Sequence, residues 1–135
     1  MEAAPFIGGV DFVNVHTQDI EKAEAFYNGL LGLPIGKRYG QMPGVEFETG
    51  NLTIAVLQAD AFGIPFNTSD QAIALRVEDV EGARAKLEAE GVEFIAPTID
   101  SGVCHMAFFK DPDGNSLLFH NRYAPPDARP GAVQQ

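Results

Sequence analysis

An α+β fold made of two βαβββ modules in tandem is what this sequence predicts, and three observations carry it. The first is an internal repeat: VNVHTQDIEKAEAFYNGLLGLPI, from Val13, and IALRVEDVEGARAKLEAEGVEFI, from Ile73, share one pattern of alternating strand, acidic residue, amphipathic helix, glycine and strand. Asp19 and Asp79 are equivalent in it, at an offset of 60 residues. The second is that strand-like apolar runs follow each helix, and the third is size: 135 residues with 45% hydrophobic side chains suffice for one domain with a real core. The expected organisation is a single domain over 1–135, with module one at about 8–60, a linker at about 61–70, module two at about 71–123 and a tail at 124–135.

Each element follows from local chemistry. In the first strand Val13 and Val15 alternate with Phe12, Asn14 and His16, so the two sets point to opposite faces. Asp19 then caps a helix, its carboxylate accepting backbone N–H bonds at the positive end of the helix dipole. Ile20, Ala23, Tyr27 and Leu30 form the buried stripe, and Gly32 supplies a left-handed carboxy-terminal cap. Three runs come next, LPIGKRY, GVEFET and LTIAVLQ, before the linker ADAFGIPFNTSDQ. Module two repeats the plan: Ile73 and Leu75 alternate with Ala72, Ala74 and Arg76, Asp79 caps, Val80, Ala83 and Leu87 begin the stripe, and Gly91 ends the helix. Its strand runs are VEFIAP, CHMAFF and SLLFH, the last two joined by DPDGN, where Pro and Gly mark a tight turn rather than a catalytic carboxylate pair. APPDARPGAVQQ is a Pro-rich tail expected to be poorly ordered.

Charge and composition exclude several classes of function. A formal net charge of -10 and a pI of about 4.5 repel phosphate backbones and anionic lipid, which argues against nucleic-acid and membrane partners. Cys104 is the only cysteine, so there is neither an intramolecular disulfide nor the paired spacing of a zinc knuckle. No signal-like amino-terminal pattern appears, and nowhere do about 18 apolar residues stand together. The simplest expectation is a cytoplasmic protein.

DIEKAEAFYNGLLGLP in the first module and FFKDPDGNSLLF closing the second resemble the vicinal oxygen chelate superfamily of glyoxalase I, extradiol dioxygenases, fosfomycin-resistance transferases and bleomycin-resistance proteins, over roughly residues 8–123. The resemblance implies a concave mixed-sheet half-barrel with the helices outside, and homodimers are common among such proteins. It implies little about reaction, since the scaffold hosts several chemistries and plain binding. On such a fold the cavity would be lined by Phe12, Asn14 and His16, by Ala72, Ala74 and Arg76, by Cys104, Met106 and Phe108, and by Ser116, Leu118 and His120.

Metal-using members place a histidine seven residues before each capping aspartate, and a glutamate three residues after the residue that ends the DPDGN turn. Those positions here hold Phe12, Ala72 and Leu118, and the counterpart in module one falls at Thr53, Ile54 or Ala55. A divalent ion needs oxygen or nitrogen donors, so the expectation is no metal and no cofactor. A displaced site using His16, His120, Glu46 or Glu48 is the alternative. Cys104 as a nucleophile would need a basic neighbour, and strand alternation sends His105 to the other face; a small buried residue is the plainer role. Arg76 suits a ligand carboxylate or a local glutamate equally. The reading is a metal-independent binder of an apolar or aromatic small molecule, with no catalytic residue. Phe12, Met106, Phe108 and Leu118 would give contact area, Cys104 would line the site beside them, and Asn14, His16, Arg76 and His120 would orient polar groups. The alternative is a lyase, isomerase or oxygenase with relocated ligands or histidine acid–base chemistry.

Overall fold

A computed structural model describes residues 6–125, so the predicted tail from 126 onward lies outside the described residues. Two compact units divide between Asn67 and Thr68. The first contains β1 (Phe12–Thr17), α1 (Ile20–Glu24) with a π-helical turn over Ala25–Leu30, β2 (Ile35–Arg38), β3 (Gly44–Glu48) and β4 (Thr53–Gln58). The second contains β5 (Ile73–Arg76), α2 (Val80–Ala89), β6 (Ile99–Asp100), β7 (Cys104–Lys110) and β8 (Ser116–Arg122). Their sheets have the same order, β1-β4-β3-β2 and β5-β8-β7-β6. In each, the first strand runs parallel to the last and the other pairs are antiparallel.

The capping aspartates act as expected. Asp19 Oδ1 accepts from the backbone N–H of Glu21 at 3.0 Å and of Lys22 at 3.3 Å, and Asp79 Oδ1 accepts from Gly82 at 3.0 Å. Gly32 and Gly91 end the helices at φ +75° and +92°, a region costly for any residue with a Cβ. Val15, Tyr27, Phe47, Ile54 and Val56 are buried in the first unit; Val80, Leu87, Phe109, Leu117 and Phe119 are buried in the second.

The first helix departs from its expected stripe. From Ala25 it widens, and Leu31 N donates to Phe26 O at 2.9 Å, five residues back. The extra residue per turn brings the neighbours Phe26 and Tyr27 both inward, and Tyr27 stacks on Phe47 at 5.3 Å, while Leu30 is left half-buried. In the second unit, residues 92–97 do not form the predicted strand. Phe94 makes an isolated bridge to Phe109, and the edge strand β6 begins only after Pro97, at Ile99. Pro97 has no N–H for the ladder, and the Ala96 carbonyl is taken by Arg84 Nη1 at 2.8 Å.

The β7–β8 turn is more than a turn. Asp111 Oδ1 accepts from the N–H of Asp113 and of Asn115 at 2.9 Å each, and Asp111 Oδ2 accepts from Asn115 Nδ2 at 2.8 Å. Asn115 Oδ1 in turn accepts from Ser69 N at 2.9 Å, and Ser116 N donates to Ser69 O at 2.8 Å, which fastens the segment entering β5 to the hairpin. Asp111 and Asn115 are both buried, so these bonds satisfy groups that have no water to fall back on.

Candidate functional site

Strand register decides which side chains share a face. In the second sheet Arg76 lies opposite His120, and His120 opposite Met106; Ala74 lies opposite Leu118, and Leu118 opposite Phe108. Directly paired residues project to the same side, so Arg76, Met106, Phe108, Leu118 and His120 form one continuous patch, with Cys104 two residues along β7. The other side carries Ala107, Phe109, Leu117 and Phe119, all buried on the side that packs against α2. Leu118 is buried, Phe108, Met106 and His120 are half-buried, and Arg76 is exposed, which makes an apolar floor with a polar margin.

The first sheet follows the same rule. Phe12, Asn14 and His16 lie opposite Thr53, Ala55 and Leu57, and Glu46 and Glu48 lie opposite Ala55 and Thr53, so all share one face. Phe12 is 51% exposed, whereas Val15 on the helix side is 3% exposed. This face is acidic and internally satisfied: Tyr39 hydroxyl donates to Glu46 Oε2 at 2.7 Å, Thr53 Oγ1 donates to Glu48 Oε1 at 2.7 Å, and Asn67 N donates to His16 Nδ1 at 3.3 Å. Burial, and then the bond to Glu46, push the Tyr39 phenol up to about 12.

The register also settles the open position in module one. Asn14 pairs with Ala55 as Ala74 pairs with Leu118, so Ala55 is the counterpart of Leu118. Phe12, Ala55, Ala72 and Leu118 offer no donor atom, and these four positions do not fit a divalent ion. Among the described residues, no group of three His, Cys, Asp or Glu side chains is placed to hold one.

Cys104 is buried, and its Sγ lies 3.1 Å from Ser101 Oγ. His105 is on the opposite face, where Nε2 is 3.4 Å from Asp100 Oδ2 and the ring lies 4.8 Å from that of Tyr123. Tyr123 hydroxyl donates to Asp100 Oδ1 at 2.7 Å, and this bond, with the Gly102 N–H and His105, holds the Asp100 carboxyl below its usual range. One feature escaped the sequence reading: a cavity of about 560 Å³ between the start of α1 and the β2–β3 hairpin, lined by Ile20, Glu24, Arg38, Tyr39, Met42 and Pro43. Val45 in its wall puts it on the helix side of the first sheet. No residue pattern signals it, because it arises where the hairpin passes the helix and Arg38 pairs with Glu24.

Residues 9–119 match the family model described as Glyoxalase/Bleomycin resistance protein/Dioxygenase superfamily. No curated protein matches the chain. Among solved structures, a member of that superfamily from Sphaerobacter thermophilus DSM 20745 is similar at 22% identity and a TM-score of 0.73, over 86% of this chain and 98% of the other. TnmS3, an antibiotic binding protein from Streptomyces sp. CB03234, is similar at 23% identity and a TM-score of 0.73, over 88% and 99%. A lactoylglutathione lyase from Agrobacterium tumefaciens is similar at 17% identity and a TM-score of 0.70, over 86% and 95%.

Proposed function

The chain belongs to the glyoxalase/bleomycin resistance protein/dioxygenase superfamily, and from that premise we propose that it is a metal-independent protein that binds and sequesters an apolar or aromatic small molecule. An antibiotic binding protein and a lyase share its fold, so the fold by itself selects neither role. The observation that carries the reading is the patch on the second sheet. Leu118, Phe108 and Met106 give an aromatic ligand contact area, while Arg76 and His120 stand beside them as polar anchors. The donor-free positions Phe12, Ala55, Ala72 and Leu118 favour binding over metal chemistry. Sequestration needs no reactive group. Phe12, Asn14 and His16 are proposed as ligand contacts on the face of the first sheet, and Cys104 is a wall residue of the second. The same reading has the protein cytoplasmic and homodimeric.

The test is a thermal-shift screen of aromatic small molecules, repeated by calorimetry on each hit before and after treatment with a chelator. Equal affinity in both conditions is expected. A hit whose binding disappears with the chelator and returns with one added metal would sink the proposal.

A further inference from the structure

From the charge pattern of the second sheet we infer that the ligand of this protein is an organic anion, an aromatic or apolar body bearing a carboxylate, sulfonate or phosphate-type group that Arg76 and His120 receive. The inference rests on the binding function proposed above and names the chemical class that such a site would take.

Four observations carry it. The chain has 19 acidic and 9 basic residues, so carboxylates outnumber cations, and Arg38 and Arg84 pair with two of them, Glu24 and Glu88. Arg76 makes no ion pair and no side-chain hydrogen bond among the described residues, and neither does the His120 side chain directly opposite it. Second, no strand residue on this face of the second sheet is acidic, whereas Lys110 and Arg122 share the face with Arg76 by register. Third, the equivalent face of the first sheet carries two carboxylates, Glu46 and Glu48, with Lys37 opposite Glu46. A cationic face on a chain of net charge -10 is therefore local and is not a reflection of overall composition. Fourth, Leu118 and Phe108 lie one register step from the Arg76–His120 pair, the spacing that an amphipathic ligand spans with its charged group at the margin and its body on the apolar floor.

The chemistry suits the residues. A guanidinium offers a planar fork of N–H donors that matches two oxygens of a carboxylate or sulfonate, and imidazole adds a donor beside it. An ammonium group would meet the like charge of Arg76 there and no strand carboxylate to pair with.

The experiment uses three probes of one shape: naphthoate, neutral naphthamide and naphthylmethylammonium, titrated by calorimetry against the whole protein. Naphthoate should bind most tightly, naphthamide about tenfold more weakly and the ammonium more weakly still, the step expected for one charge-assisted pair. Arg76→Gln should bring naphthoate down by about tenfold, to near the level of naphthamide, and change naphthamide far less. Arg76→Glu should invert the order of naphthoate and the ammonium. Arg76 is exposed, so both variants should keep the parent's circular dichroism and melting temperature. Equal affinities for the three probes, or a preference for the ammonium in the parent, would overturn the anion inference while leaving the binding function standing. Binding of none of the three would overturn both.

Discussion

At Tyr39 a ring and a hydroxyl do separate things. A Cβ on Gly44 would come within 2.3 Å of the ring, so Gly44 gives the ring room, and the hydroxyl reaches Glu46 at 2.7 Å. The phenol, pushed up to about 12 from 10.0, is favoured in its protonated form by the fold. That stabilisation is complete below pH 10, where the phenol is protonated whether the chain is folded or not. It is lost as the pH rises from 10 through about 12, because the unfolded chain ionises first. Tyr39→Phe should therefore lose less stability than the parent across that window, by on the order of 1–2 kcal/mol in urea melts at successive pH values; identical alkaline losses would contradict the assignment. The two faces of β1 give a second contrast. Val15→Ala should lower stability by about 2 kcal/mol, since it opens space in a closed core, and leave affinity per folded molecule unchanged. Phe12→Ala, at a position already 51% exposed, should cost well under that in stability. Its effect should fall on binding, weakened by about 1 to 3 kcal/mol for a ligand that rests on the ring. Calorimetry and melting curves on the pair read both quantities, and a reversed pattern would mean the faces are assigned backwards. That alternation was legible in Val13, Val15, Ile73 and Leu75 because a strand repeats every two residues. That Arg76 has no partner among the described residues was not legible, since a local glutamate fitted the sequence equally well.

Among the elements, the β7–β8 hairpin carries the sharpest stability predictions. Gly114 sits at φ +96° with Thr68 Cγ2 3.5 Å from where a Cβ would stand, so Gly114→Val forces a β-branched side chain into the left-handed region. A loss of about 1–3 kcal/mol or more is expected from thermal or urea unfolding; melting like the parent would refute the turn geometry. Asn115→Ala tests the anchor to the linker. It leaves the buried Asp111 carboxylate short of one donor and Ser69 N–H without its acceptor, so a loss of about 2–4 kcal/mol is expected. Hydrogen exchange at Ser69 should quicken first, and unchanged protection there would show that Asn115 does not hold the segment. DPDGN read as a turn from Pro and Gly alone, but nothing near it in sequence announces Ser69 as its partner, 46 residues earlier. The π-helical turn at Ala25–Leu30 was equally hidden, because it accompanies the burial of two adjacent rings, Tyr27 stacked on Phe47 of a distant strand and Phe26 edge-on to Tyr27.

For the whole molecule, the donor-free register positions predict protein with well below one equivalent of Zn, Fe, Mn or Ni per chain by elemental analysis, when purified without a nickel column. A full equivalent would require ligands that the register does not bring together. The proposed homodimer predicts sedimentation at about twice 14.5 kDa. Phe6, Ile7, Val10 and Phe12, each more than half exposed around the edge strand β1, are the apolar surface a second copy would cover. A monomer across the micromolar range would refute it. The repeat at 60 residues, the capping aspartates, the glycine stops and the facing of each strand were determined by the sequence itself, because each depends on neighbours a few positions apart whose geometry is set by a helix or strand period. Ala55 as the fourth donor-free position, the failed strand at 92–97, the Asn115–Ser69 anchor and the cationic face around Arg76, unpaired among the described residues, were decided only by tertiary structure. They depend on which distant strands lie side by side and in which register, and on whether the carboxylates of an acidic chain can reach its few cations, and those distances exist only once the sheets have formed.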